Sequence, residues 1–298
     1  MITSMRYLIS IAMLTLLITA TLAQEEDRIT TPIASPYSSM TTTVGLTDVT
    51  IEYFRPKVKG REIFGNGADF LVPFKDIWRT GANSGSKVTF STDVTIAGTT
   101  VEAGSYLILS KPDALNWDIM LYSDVSLGGN MAAFDESNVV VTYQSESTRI
   151  LTPVETLTFN VSDISEDNTS ASIELAWADV SVKLPFEVNF RDAVMADIDE
   201  KMMADEILPG NYTTAANFYL DFDGDLSKAL DWMNSYLAIE GNETHFWHVH
   251  TKARILAAMG NTESAIETAR ASLDMAKDYP AGDFGYIQRN MELIASLR

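Results

Sequence analysis

The side chains best suited to chemistry in this sequence are cations. From Gln24 to Val188 there are eleven Lys and Arg residues, and seven of them fall between Arg55 and Lys87. Only Glu62, Asp69 and Asp76 oppose them there, so seven cations against three acids give a local +4 in a chain of net charge −20. Arg55, Lys57, Lys59 and Arg61 are spaced by two, which on an extended backbone puts all four on one face. Guanidinium groups present a planar fork of donors that suits carboxylate or phosphate. Trp78 beside Arg79 offers an aromatic wall, and Asn83 with the backbone near Gly81 adds neutral donors. The candidate ligand-binding residues are therefore Arg55, Arg61, Trp78, Arg79 and Asn83, and the ligand class is anionic or carbohydrate. A second reading makes the same arginines internal ties, paired with acids such as Glu52 or Glu155 to fix a Pro- and Gly-containing loop. Arg55 and Arg61 flank the Pro56-to-Gly60 loop and read as ties. Arg79, ahead of Gly81-Ala82-Asn83, reads as the ligand contact.

Other reactive constellations are weaker. All three histidines stand in His245-Phe-Trp-His248-Val-His250. On a helix His245 and His248 share a face, and His250 points about 200° from His248, so the three do not converge on a metal. Asp221-Phe-Asp223-Gly-Asp225 has its glycine at the fourth position and Trp232 at the twelfth, where a calcium loop needs the sixth and a Glu. An acidic helix cap around Asp225 accounts for it better. Trp117 and Trp177 alternate with aliphatic residues and read as core. No cysteine is present, which removes disulfides, thiolate metal sites and cysteine nucleophiles, and the β-patterned half has no histidine to activate a serine. Gly65-Asn-Gly67 is a turn, not a phosphate loop. No catalytic residue, metal site or cofactor is expected. A carboxylate pair of the glycoside-hydrolase kind stays open, because the chain has 41 Asp and Glu residues and a sequence carries no distances.

The acidic balance, with a sequence pI of about 4.4, argues against binding nucleic acid. Residues 1–23 read as a secretory signal. Arg6 precedes an apolar run from Tyr7 to Ala20, and Thr21-Leu22-Ala23 supplies the small residues that a signal peptidase reads. The mature chain then starts near Gln24, carries no further apolar run long enough to span a bilayer, and is periplasmic or secreted. Four Asn-x-Ser/Thr triplets (Asn160, Asn168, Asn211, Asn242) would matter only in a glycosylating host.

Two periodicities divide the remainder. After a linker at 24–39, residues 40–189 alternate at period two: Val49, Ile51, Tyr53; Trp117, Ile119, Leu121; Leu157, Phe159; Ile173, Leu175, Trp177. Ala97-Gly98 reads as a hairpin turn and Ala103-Gly104 as a bend. Short strands with turns between them and no helical pattern predict an antiparallel β-sandwich. Over 190–298 the period becomes helical. Gly224-Asp-Leu-Ser-Lys-Ala229-Leu recurs 36 residues later as Gly260-Asn-Thr-Glu-Ser-Ala265-Ile. This is a small tetratricopeptide-like array of two helix pairs and a final helix from about Phe284 to Leu297, expected to dock on the sandwich.

The cationic stretch also carries a resemblance. Arg55-Pro56, Lys59-Gly60-Arg61 and Phe64-Gly65, followed by Trp78-Arg79-Thr80-Gly81-Ala82-Asn83, make residues 35–186 similar to the secreted bacterial domain-of-unknown-function family 2911. Members often carry a helical C-terminal extension. In the family a Trp-Gly pair and a Tyr usually follow the Trp117 strand, where this chain has Leu127-Gly128-Gly129 and Phe134. The family has no established reaction, so the resemblance implies architecture and location rather than mechanism.

The expected function is an exported, non-catalytic binding or scaffold protein. It would hold an anionic or sugar ligand at the Arg55–Asn83 region and offer its helices to a protein partner. A carboxylate-dependent glycan hydrolase is the alternative. Intact-mass measurement of protein from the native host should give a chain that begins near Gln24; a full-length cytoplasmic chain would contradict the signal reading.

Overall fold

The computed structural model describes Ile29 and residues 31–298, so the expected signal at 1–23 and the first part of the expected linker lie outside the described residues. Twelve strands precede six α-helices among the described residues. The strands are β1 (Tyr37–Val44), β2 (Thr47–Phe54), β3 (Phe64–Gly65), β4 (Val72–Pro73), β5 (Ser86–Phe90) and β6 (Val94–Ile96), then β7 (Thr99–Val101), β8 (Gly104–Lys111), β9 (Asn116–Tyr122), β10 (Val139–Glu146), β11 (Thr148–Ser162) and β12 (Ser170–Val188). Six of them form an antiparallel sheet in the order β1-β2-β5-β8-β9-β10, and four form a second in the order β11-β12-β6-β7. The chain divides into two compact units, one ending at Val188 and the other Asn189–Arg298.

Period-two patterning explains the first unit. Val49, Ile51 and Tyr53 of β2 are buried, as are Val88 and Phe90 of β5 and Leu157, Phe159, Ile173, Leu175 and Trp177 of the second sheet. Ring contacts join the two sheets: Tyr53 meets Phe159 edge-on at 5.0 Å, and Phe90 meets Phe186 at 5.8 Å. The β6–β7 turn has positive φ at both Ala97 (51°) and Gly98 (76°), the handedness that matches strand twist in a two-residue hairpin.

Two expectations need correction. The first strand begins at Tyr37, inside the expected linker, because Tyr37 pairs with Phe54 and its hydroxyl donates to Glu52 at 2.6 Å. In β9 the period-two residues Trp117, Ile119 and Leu121 are buried, and the strand departs from simple alternation because Met120 and Tyr122 are buried too. The segment Val125–Asn138 folds over the other face of the sheet in three short 3-10 turns. Leu127 joins Met120 and Tyr122 there in a small cluster, with Met131 and Phe134 packed against it.

The second unit contains α1 (Arg191–Met202), α2 (Pro209–Asp221), α3 (Leu226–Leu237), α4 (Phe246–Ala258), α5 (Thr262–Lys277) and α6 (Tyr286–Ser296). Ile198, Tyr219, Ala229, Met233 and Ile255 share one core cluster. Ala229 and Ala265, equivalent in the 36-residue repeat, are both fully buried. The two repeat glycines act differently. Gly260 takes φ +78° after α4, whereas a Cβ on Gly224 would come within 2.4 Å of the Tyr219 ring. Asp225 caps α3, accepting from the amides of Ser227 and Lys228, and Asp221 pairs with Arg254 at 2.9 Å.

His245 precedes α4, stacks on Trp247 at 4.8 Å and bonds Tyr236 Oη through Nδ1 at 2.9 Å. Burial, with the neighbouring His245, lowers the His248 pKa from 6.5 to about 4. Burial also lowers that of His250, helped by Arg254 and Arg289 and opposed by its bond to Asn290. An unfolded chain protonates these rings below about pH 6.5. The folded chain resists until about 4 at His248. Stability held by neutral His248 is therefore full above pH 6.5 and drains as pH falls toward 4. Thermal melts across that window should show a falling Tm that His248→Gln flattens. An equal fall in the variant would place the acid sensitivity elsewhere.

Candidate functional site

The site is built where two ladders are interrupted. β11 and β12 slip register between Arg149 and Val154 and again between Val154 and Thr158, and Ala178 of β12 has φ 53°. The slip leaves backbone groups of β11 free, and the loop after β2 takes them. Val58 donates to Glu155 O at 2.7 Å, Leu157 donates to Pro56 O at 2.9 Å, and Lys57 bridges Thr156. On the other sheet β5 begins at Ser86, opposite Ile108 of β8. Trp78 takes the place further along that line, exchanging hydrogen bonds with Ser110 at 2.7 and 3.0 Å. The seven residues Arg79–Gly85 are thus thrown out of the ladder as a loop.

Four rings hold these interruptions together. Trp78 stacks on Trp177 with centroids 5.8 Å apart and planes 17° apart. Trp117 meets Trp78 edge-on at 6.2 Å, and Phe64 touches all three. Trp117 and Trp177 are each 1% exposed and Trp78 is half-buried. The Arg79–Gly85 loop is strained beside them. Thr80, a β-branched residue, has φ +51°, and Asn83 has φ +53°. Thr80 is buried and its hydroxyl bonds Ser110 Oγ at 2.8 Å. Gly129 closes over the loop: a Cβ there would lie 2.2 Å from Asn83 O and 3.3 Å from Arg79 Cδ. Phe134 lays its ring 5.5 Å from Tyr122.

A cavity of about 380 Å³ opens against this framework. Lys57, Lys59, Arg61 and Arg79 line it together with Trp78 and Trp177, and among the described residues no Asp or Glu side chain does. None of these four cations forms an ion pair among the described residues. Two buried donors on its walls, Arg79 Nε and Trp177 Nε1, have no hydrogen-bond partner among the described residues.

Of the five candidate residues, Arg61, Trp78 and Arg79 line this cavity, and Arg55 and Asn83 do not. Arg55 turns onto β11, donating to Leu157 O at 3.1 Å and Thr158 Oγ1 at 2.9 Å. Arg61 bonds the carbonyls of Lys57 and Val58 within its own loop. Both arginines therefore contact neutral oxygens rather than carboxylates. Glu155 does hold the loop, but by accepting from the Lys59 amide at 3.0 Å. Glu52 pairs instead with Lys87 at 2.6 Å, and hydrogen bonds from Lys87 and Tyr37 hold its carboxyl below the usual range. Arg55 leaves the expected single cationic face by turning onto β11, whereas Lys57, Lys59 and Arg61 line one cavity even though Lys59 (φ 50°) and Gly60 (φ 68°) depart from the extended region. Lys57, Lys59 and Trp177 are the cavity residues that the candidate set lacked.

The family model described as "Protein of unknown function (DUF2911)" matches residues 35–186, which is just over half of the 298-residue chain. The chain belongs to the DUF2911 family. The matched span holds every residue that lines the cavity except Ala34, and it ends before the helices of the second unit begin. No curated protein and no solved structure matches the chain.

Partner geometry separates the arginines. Arg55→Met removes two part-buried hydrogen bonds and should cost about 1–3 kcal/mol in a urea melt. Arg79→Met keeps the aliphatic stem, removes an unsatisfied buried donor, and should hold or raise stability. The opposite ranking would make Arg79 a structural tie.

Proposed function

We propose that this DUF2911 member is an exported, non-catalytic binding protein whose first unit is an antiparallel β-sandwich with an anion-selective cavity, and whose second unit is a tetratricopeptide-like array. The Tyr53–Phe159 and Phe90–Phe186 contacts between sheets support the sandwich. The buried Ala229 and Ala265 at a 36-residue interval support the repeat. Arg6 and the apolar run after it support export.

One observation carries the binding reading. Lys57, Lys59, Arg61 and Arg79 converge on one cavity that no acid among the described residues lines, in a chain of net charge −20 with carboxylates to spare. Cations meant only to tie loops would have recruited some of those carboxylates. Trp78 adds an aromatic face, so an acidic sugar matches the cavity in both charge and ring stacking. A hydrolase working through a carboxylate pair needs two acids across its cleft, and this lining supplies none.

Tryptophan fluorescence tests the reading. An oligogalacturonate should quench the wild-type signal, with affinity falling as salt rises, since exposed charge pairs are screened beyond about 8–10 Å. Trp78→Leu should remove most of the quench, and Arg79→Gln should weaken binding about tenfold, as loss of a charged hydrogen bond of 1.5–3 kcal/mol implies. A chain that ignores the acidic probe, or takes a neutral oligosaccharide equally well, would overturn the proposal.

A further inference from the structure

The helical unit has a cavity of its own, of about 390 Å³, walled by Asn217 of α2, by His248, His250 and Arg254 of α4, and by Tyr286 and Arg289 of α6. Its chemistry is set by a buried polar chain behind it. Ser272 Oγ donates to Phe246 O at 2.7 Å, which uses its one proton. Asn290 Nδ2 therefore donates to Ser272 Oγ at 2.9 Å, and also to Tyr286 O at 2.8 Å, a carbonyl that can only accept. This fixes the amide: Asn290 Oδ1 faces His250 Nδ1 at 2.8 Å and must accept from it. His250 is thus held as the Nδ1–H tautomer, and its Nε2 is a lone-pair acceptor with no partner among the described residues. The backbone carbonyls of Phe246 and Tyr286, which can only accept, dictate the proton's position.

Around that acceptor stand donors. The Arg289 guanidinium lies 4.8 Å from the Tyr286 ring centroid and has no ion pair among the described residues. Arg254 shares its charge with Asp221. Among the described residues no Asp or Glu side chain lines the cavity. A bare carboxylate or sulfate would satisfy the guanidiniums and leave Nε2 facing another lone pair. A group that carries negative charge and keeps one acidic proton satisfies both.

We propose that the cavity between α2, α4 and α6 is a second binding site, selective for a singly protonated phosphomonoester, with the guanidinium of Arg289 on its charge and His250 Nε2 accepting its proton. The volume exceeds that of a phosphate group, which leaves room for the ester's organic part. The site is independent of the cavity in the first unit, since the two share no residue.

The full chain, labelled with ¹⁵N, provides a direct test, because only three imidazoles need assignment. At pH 6, near the second pKa of a phosphomonoester, roughly half of the ligand carries the proton. Titration with glycerol phosphate should shift the His250 Nε2 resonance, and inorganic phosphate should do so at higher concentration. Sulfate, which has no proton at this pH, should bind at least about tenfold more weakly. Arg289→Gln should weaken the phosphate response about tenfold without changing Tm, because Arg289 is exposed and holds no carboxylate. Arg79→Gln should leave the response intact, which separates this site from the first. Equal binding of sulfate, a silent His250, or an unaffected Arg289→Gln variant would each overturn the proposal. If inorganic phosphate matched the ester, the site would still be a protonated-phosphate site, with the free ion as its ligand.

Discussion

The stack of Trp78 on Trp177 is the contact on which the first unit's irregular parts depend. Large aromatic rings bury about 150–250 Å² each, and a well-placed pair adds about 0.5–1.5 kcal/mol beyond that burial. Here the pair also bridges two discontinuities. Trp177 is the last residue of β12 before the left-handed Ala178, and Trp78 is the last residue on the β5 line before the chain leaves it. Each ring fixes the end of a regular run, so the break on either side has a defined starting point. The loop after β2 can then dock on β11 in one register, and the Arg79–Gly85 loop can leave the sheet in one direction.

Such a framework lets the cavity cations be placed without ion pairs among the described residues. Ordinarily a cluster of Lys and Arg is tolerated because carboxylates pair with it. Here backbone groups hold the loop, with the Glu155 carboxylate accepting from the Lys59 amide. The amides and carbonyls of Pro56, Val58 and Lys59 are bonded to β11, Arg61 is satisfied by carbonyls, and the Arg79 stem lies under Gly129. The strain at Thr80 and the unpaired donors at Arg79 and Trp177 are costs of the arrangement. Costs of that kind persist where surrounding packing is strong enough to impose them, and the four-ring cluster supplies that packing. The chain's overall negative charge acts at a distance and is screened by salt, whereas the cavity cations act within contact range.

What the sequence revealed, and what it hid, follows from the range of each interaction. The strands at Val49–Tyr53 and Leu157–Phe159, the Ala97-Gly98 turn and the change of period near residue 189 are all local signals, and each has its counterpart in the fold. The sequence could not show that β6 and β7 pair with β12 rather than with their neighbours β5 and β8, because sheet order depends on long-range contacts. Likewise, Met120 and Tyr122 sit on a face that reads as exposed, and only the later segment around Leu127 covers it. The arginine spacing was visible but misleading. Period two places the four cations together, but it does not show which partner each one finds: the hydrogen bonds of Arg55 to Leu157 and Thr158 take it out of the cavity that Lys57, Lys59 and Arg61 line.

The helical unit shows the same limit in polar form. Its repeat is legible through Ala229 and Ala265, since a small residue at a close helix contact leaves a periodic trace. Asn290 leaves none. It is a single polar residue in the last helix, fully buried, and its meaning exists only once α4, α5 and α6 bring His250, Ser272 and two carbonyls to it. A buried amide in an apolar array would be destabilising if any of those bonds were missing, so every partner must arrive in register. The network therefore does two things at once: it specifies how the last three helices meet, and it sets which nitrogen of His250 is left free. Packing alone could have met the first requirement with aliphatic residues. Only a hydrogen-bonded chain anchored on carbonyls could also meet the second.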